Sequence, residues 1–123
     1  MKFRIAGTFV TMVFAAGLNG CTDTKQVTYA DVEPILKEKC GECHTDDREG
    51  VQASGFSVDS YQTVMKGTKL GPVVVAESSE SSTLYRMVAG ETHPSIQMPH
   101  GEDPLSDEQI ETIRIWIDQG AKK

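Results

Sequence analysis

The chain has 123 residues and a formal charge of −6, with 18 Asp and Glu against 12 Lys and Arg. That length holds one small domain once a leader is set aside, and the acidic balance argues against nucleic acid or anionic headgroups as partners. Three cysteines are an odd number for an oxidising compartment, so each needs its own assignment.

Lys2 and Arg4 precede an uncharged apolar stretch over residues 5–18. It is shorter than the roughly 20 residues of a membrane span and reads as a secretory signal. Leu18-Asn19-Gly20-Cys21 resembles a bacterial lipobox, in which the chain is cut before the cysteine and Cys21 receives lipid. The expected organisation is therefore a signal peptide with lipobox over 1–20, a lipidated polar tether over 21–27, and one domain over 28–123. Such a protein is anchored to a membrane of the bacterial cell envelope and faces the periplasm. Loss of the two basic residues with the leader takes the charge to near −8.

Thr28 and Asp31 form a T-x-x-D helix start, after which Val32, Ile35, Leu36, Lys39 and Cys40 recur at helical spacing. Pro34 marks the first turn of the main helix after a short lead-in. Residues 45–55 are polar and glycine-containing, a loop. Over 57–66, Val58, Tyr61, Val64 and Met65 keep helical register, and Gly67 stops the helix. Gly71-Pro72 is a turn leading to an extended apolar run over 73–75, with no second strand in view to pair with it. Residues 77–82 are a Ser/Glu bridge suited to turns and caps. Leu84, Met87 and Val88 then form a short helix ending at Gly90. Pro94, Pro99, Gly101 and Pro104 keep the next segment out of helix. Ser106-Asp107-Glu108-Gln109 is a capping box opening the last helix. Its stripe is Ile110, Ile113, Trp116 and Ile117, Gly120 ends it, and Ile115 points away. The fold class is all-α, with about four helices.

The chemistry concentrates in Cys40-Gly41-Glu42-Cys43-His44, which reads as an attachment site for one covalent haem c. Two thiols three positions apart can each add to a porphyrin vinyl group, and the next imidazole is delivered beneath the iron. A thioredoxin-like redox pair wants its first cysteine at a helix N-terminus, whereas Cys40 closes a helical stretch. A zinc site needs four donors, for which Cys40, Cys43, His44 and one of His93 or His100 are the available set. With two cysteines on haem and Cys21 on lipid, no thiol is left over.

The second iron face has five candidates: Met98, His93, His100, Met65 and Met87. Met98 precedes Pro99 on a proline-rich segment, the setting for a ligand held on a rigid loop. Met65 and Met87 lie on apolar helix faces, where methionine usually fills core.

With these segments placed, the chain resembles a single-haem class I cytochrome c, close to the planctomycete-type cytochrome c domains. The resemblance runs over roughly residues 28–121 and rests on Val32-Glu33-Pro34-Ile35-Leu36 leading into the CxxCH, on Met98-Pro99, and on the capping box running to Gly120-Ala121. It implies a small fold wrapped around one haem, with thioethers at Cys40 and Cys43 and axial ligands His44 and Met98. It also implies that the first and last helices pack together, and that the carbonyl of Pro72 accepts from the proximal imidazole. Trp116 falls either at the haem edge or in an ordinary helix–helix contact. The function implied is electron transfer, not enzymatic turnover; the acidic surface, for its part, suits docking to a basic patch on a redox partner protein. The alternative is a haem-based small-molecule sensor or peroxidase-like enzyme, which requires an open or labile sixth position on iron.

Overall fold

The computed structural model describes residues 25–123. The signal peptide and Cys21 lie outside the described residues. Five α-helices follow one another: α1 (Tyr29–His44), α2 (Glu49–Ser54), α3 (Tyr61–Lys66), α4 (Thr83–Val88) and α5 (Asp107–Asp118), with a 3-10 turn at Pro94–Ile96. The described residues contain no strand and form an all-α fold.

Helix α1 starts where the sequence says it should, because the Asp31 carboxylate accepts from the Thr28 N–H at 2.9 Å and meets one of the orphan donors of the first turn. Pro34 differs from expectation: it sits inside one continuous helix. Proline removes the bond that would reach the Ala30 carbonyl, but both residues are exposed, so water can take that carbonyl. The buried stripe is Tyr29, Val32 and Leu36. At the other end the Thr45 hydroxyl donates to the Gly41 carbonyl at 2.6 Å, satisfying a last-turn acceptor.

The segment expected as a loop over 45–55 contains α2. Its single full turn carries only Val51 as a large apolar residue, too little for a periodic signal, and Gly55 at φ 81 closes it with a bond to the Val51 carbonyl. Helix α3 begins later than position 57, at a Ser60–Thr63 capping box, and ends on Gly67. Gly67 has φ 80 and ψ −140, a conformation reserved for glycine. The run over 73–75 pairs with no strand: Val73 accepts from the Leu84 N–H at 3.0 Å, and Val75 donates to the buried Ser82 hydroxyl at 2.8 Å. These bonds replace a sheet partner and seat the start of α4.

Helix α5 opens on reciprocal bonds between Ser106 and Gln109 and buries Ile113, Trp116 and Ile117 completely. Ile115 is not an outward residue, for it packs against the core from a half-buried position. The chain end is then tied to the start of α1. Tyr29 N–H and Trp116 Nε1–H both donate to the Lys122 carbonyl, at 2.9 and 2.8 Å. Val27 N–H reaches Gln119 Oε1 at 2.8 Å. The Tyr29 and Trp116 rings lie 6.1 Å apart. The first and last helices are thus packed together, and Trp116 serves that contact. Leu36 has no exposure in this core. Leu36→Ala is expected to cost about 2–5 kcal/mol, read as a lowered midpoint in denaturant titration with an unchanged slope.

Candidate functional site

The last turn of α1 carries Cys40, Cys43 and His44. Residues three apart share a helix face, so the two thiols stand side by side, and neither is in a disulfide. Cys40 packs against the core, and burial pushes its thiol up to about 11, with Glu102 and Cys43 adding to the effect. The Cys43 thiol is raised as well, first by lost hydration and then by the Glu49 and Glu42 carboxylates. Both sulfurs therefore keep their protons at neutral pH. An S–H of this kind can add across an activated vinyl group, sulfur to one carbon and hydrogen to the other.

The imidazole is fixed by its neighbours. His44 Nδ1 lies 3.0 Å from the Phe56 carbonyl oxygen, and the two rings meet edge to face at 5.4 Å. A carbonyl can only accept, so Nδ1 carries a proton, and in the neutral imidazole Nε2 keeps its lone pair, the form in which histidine binds a metal. The His44 carbonyl in turn accepts from Val58 N–H at 2.8 Å, which clamps the end of α1 to the segment after α2.

The acceptor for the imidazole is thus Phe56, and the role that the resemblance gives to Pro72 is filled elsewhere. Pro72 is exposed. Its turn packs against the end of α3, where a Cβ on Gly67 would come within 2.6 Å of Pro72 Cα. The chain reaches the imidazole sooner, through α2 and the Gly55 turn.

Helix α2 also supplies a contact that sequence reasoning missed. A Cβ on Gly50 would stand 2.6 Å from the Cys43 carbonyl and 2.9 Å from both Cε1 and Nδ1 of His44. The only signal was a glycine in a polar stretch. Gly50→Ala should gain up to about 1 kcal/mol in helix propensity yet lose about 1–3 kcal/mol net through overpacking against the ring. Thermal melts check the stability, and a changed imidazole environment by NMR checks the cause.

Met98 is half-buried on an irregular segment beyond the 3-10 turn. The preceding Gln97 closes that segment, its amide donating to the Gly90 and Thr92 carbonyls at 3.1 Å each. The segment then returns to the motif. There Glu102 lies beside Glu42, and that neighbouring carboxyl is the main cause pushing the Glu102 carboxyl above its ordinary range, together with lost hydration. The far end of the segment that carries Met98 therefore lies near the turn that carries the thiols and His44. Met65 packs on the core. His93 and His100 are exposed, and His93 Nδ1 is engaged by Ser95 Oγ at 2.8 Å. Zinc would need four donors, but among the described residues no three His, Cys, Asp or Glu side chains converge.

Thr92 adds a detail the sequence did not flag: its hydroxyl oxygen is buried and has no hydrogen-bond partner. A concavity of about 510 Å³ lies elsewhere, between Ser79, Tyr85, Arg114 and Asp118. Its walls are polar and its one cation is already held by Glu111 and Asp118.

The donor set suits a porphyrin iron: two protonated thiols and one imidazole at the end of α1, and a half-buried thioether on the irregular segment that ends near them at Glu102. A family model described as Planctomycete cytochrome C matches residues 40–102, from the first cysteine of the motif through Met98 to Glu102. No curated protein and no solved structure matches the chain.

Proposed function

The chain belongs to the planctomycete cytochrome C family, and from that premise we propose that it is a single-haem electron carrier of the bacterial cell envelope. Membership brings haem and electron transfer. The finer reading assigns thioether bonds to Cys40 and Cys43, His44 Nε2 to one face of the iron and Met98 sulfur to the other. The observation that carries it is the His44 imidazole, held with Nδ1 protonated against Phe56 and Nε2 free, directly after two unpaired thiols.

When bound, the haem supplies a one-electron Fe(III)/Fe(II) couple. The protein's task is to hold it without rearrangement. The Phe56 carbonyl fixes the His44 ring and its tautomer, and the missing side chain at Gly50 leaves the space that the ring occupies. Gln97 holds the methionine loop closed. Protein ligands on both faces leave no position for substrate, which makes this a carrier and not an enzyme.

Glu42, Asp46, Asp47, Glu49, Glu102 and Asp103 are all exposed around the motif. That acidic rim favours a redox partner that presents a basic patch, with association falling as salt rises. Lipid on Cys21 holds the carrier at the membrane.

The test is an absorption spectrum, oxidised and reduced, of protein matured in a host that attaches haem c. Sharp reduced bands with the weak far-red ferric band of sulfur ligation are the expected result. A high-spin ferric spectrum would move the assignment to a sensor or peroxidase-like protein with an open iron face. Anchoring is tested separately: Cys21→Ala is expected to release a red, soluble protein from membranes, and retention through washing would count against the lipid.

A further inference from the structure

Lys25, where the segment from Cys21 enters the domain, is fixed to the fold. Gln119, just past the end of α5, donates from its amide nitrogen to the Lys25 carbonyl at 3.3 Å and accepts from the Val27 N–H at 2.8 Å. The Lys25 ammonium pairs with Asp31, in the first turn of α1, at 3.5 Å. The bond from Tyr29 N–H to the Lys122 carbonyl brings Lys122 to the same end of the molecule.

That end is opposite the motif. Tyr29 and His44 bound one 16-residue helix and stand about 22 Å apart along its axis at 1.5 Å per residue. Only four steps of chain lead from Cys21 to Lys25, and they span at most about 14 Å when fully extended. The tether is too short to run the length of α1.

Exposed charge divides along the same axis. The six rim carboxylates lie at the motif end, with Arg48 as an exposed cation among them. At the other end Lys25, Lys122 and Lys123 are exposed, set against Asp31 and Glu77. Anionic headgroups repel the rim and attract the lysines. Charge and tether turn the domain the same way.

We propose that the anchored domain stands on its Lys25 end with the motif facing away from the membrane, and that its redox partner is a water-soluble protein domain presenting a basic face there. This rests on the lipid and haem readings above. A redox centre that exchanges electrons at headgroup level meets the wrong end of the molecule.

The experiment uses lipidated ferrous holoprotein in nanodiscs of phosphatidylethanolamine and phosphatidylglycerol, doped with a gadolinium-chelate lipid. Amide signals of residues 27–32 and 120–122 should be attenuated several-fold more than those of residues 40–50. Equal attenuation, or a greater loss over 40–50, overturns the proposal. Inserting about 20 Gly and Ser residues between Thr24 and Lys25, with a mean span of roughly 25 Å, should flatten the contrast. A contrast unchanged by the insertion overturns the tether as its cause. Hexaammineruthenium(II), a soluble one-electron donor, tests the outward face: one electron passes from Ru(II) to Fe(III). It should reduce the protein anchored in zwitterionic nanodiscs and the released Cys21→Ala protein at equal rates. Reduction several-fold slower in the anchored form overturns the proposal. A Cys21 without lipid, by mass spectrometry, sinks the anchor reading and this inference together, and lipidated protein without haem sinks the carrier reading and the partner with it. Lipid and haem both present without the contrast sink this inference alone.

Discussion

Replacing Cys40 and Cys43 together by serine is expected to yield a protein whose haem is stripped by acidified organic solvent and leaves no haem stain on a denaturing gel. The argument follows from the last turn of α1. The two sulfurs share one helix face and are unpaired, so each can hold one side of the same porphyrin edge. With both bonds gone, only axial ligation and apolar contact remain, and occupancy becomes a matter of free haem concentration relative to its dissociation constant. Either single variant should keep one thioether and so keep the stain, with a pyridine haemochrome band displaced toward the wavelength of a haem with one free vinyl. Cys40→Ser should be the more damaging of the two. Cys40 packs against the core, whereas Cys43 faces Glu49 at 3.8 Å on the exposed side. Haem that resists extraction from the double variant would refute covalent attachment through this motif.

The parts of the fold that the sequence shows are those marked by local chemistry. Thr28 with Asp31, Ser106 with Gln109, and the glycines at 67 and 90 announce helix ends because caps and positive-φ stops act within a few residues. The stripe Ile113, Trp116, Ile117 is equally plain, since burial recurs at helical period. Helix α2 is hidden because one apolar residue in a single full turn has no period. It exists through tertiary contact: Gly50 against His44, and the Lys69 ammonium on the Gln52 carbonyl at 2.5 Å.

The site divides in the same way. Thiols and imidazole are side chains at fixed spacing, and they can be read directly. The acceptor for His44 is a main-chain carbonyl, which every residue has. Phe56 could therefore not be told from Pro72 without knowing the path of the chain between them. Ile115 was misplaced for a related reason, because a helix packed between α1 and α4 buries more than one stripe. The return of Glu102 to Glu42 spans 60 positions of sequence and leaves no local trace.

Met98→Ala is the substitution that should change the redox chemistry most while leaving the haem attached. A thioether donor stabilises ferrous iron relative to ferric. Axial ligation and its surroundings move haem potentials over about 0.8 V, and loss of the sulfur should lower the potential by on the order of 0.1 V or more. The far-red ferric band should disappear, and CO and cyanide should bind quickly where they bind slowly or not at all in the parent. The loop itself should survive, because Gln97 closes it through the Gly90 and Thr92 carbonyls without help from the methionine side chain. That separates a ligand effect from a collapsed loop: circular dichroism and the melting midpoint should stay near the parent's while the potential falls. His93→Ala and His100→Ala supply the control. Both imidazoles are exposed, and His93 is turned to Ser95, so neither change should touch the potential or the far-red band. A Met98→Ala protein with parental spectrum and potential would mean that another side chain holds the iron. The exposed histidines, next in reach on the same segment, would then be examined first.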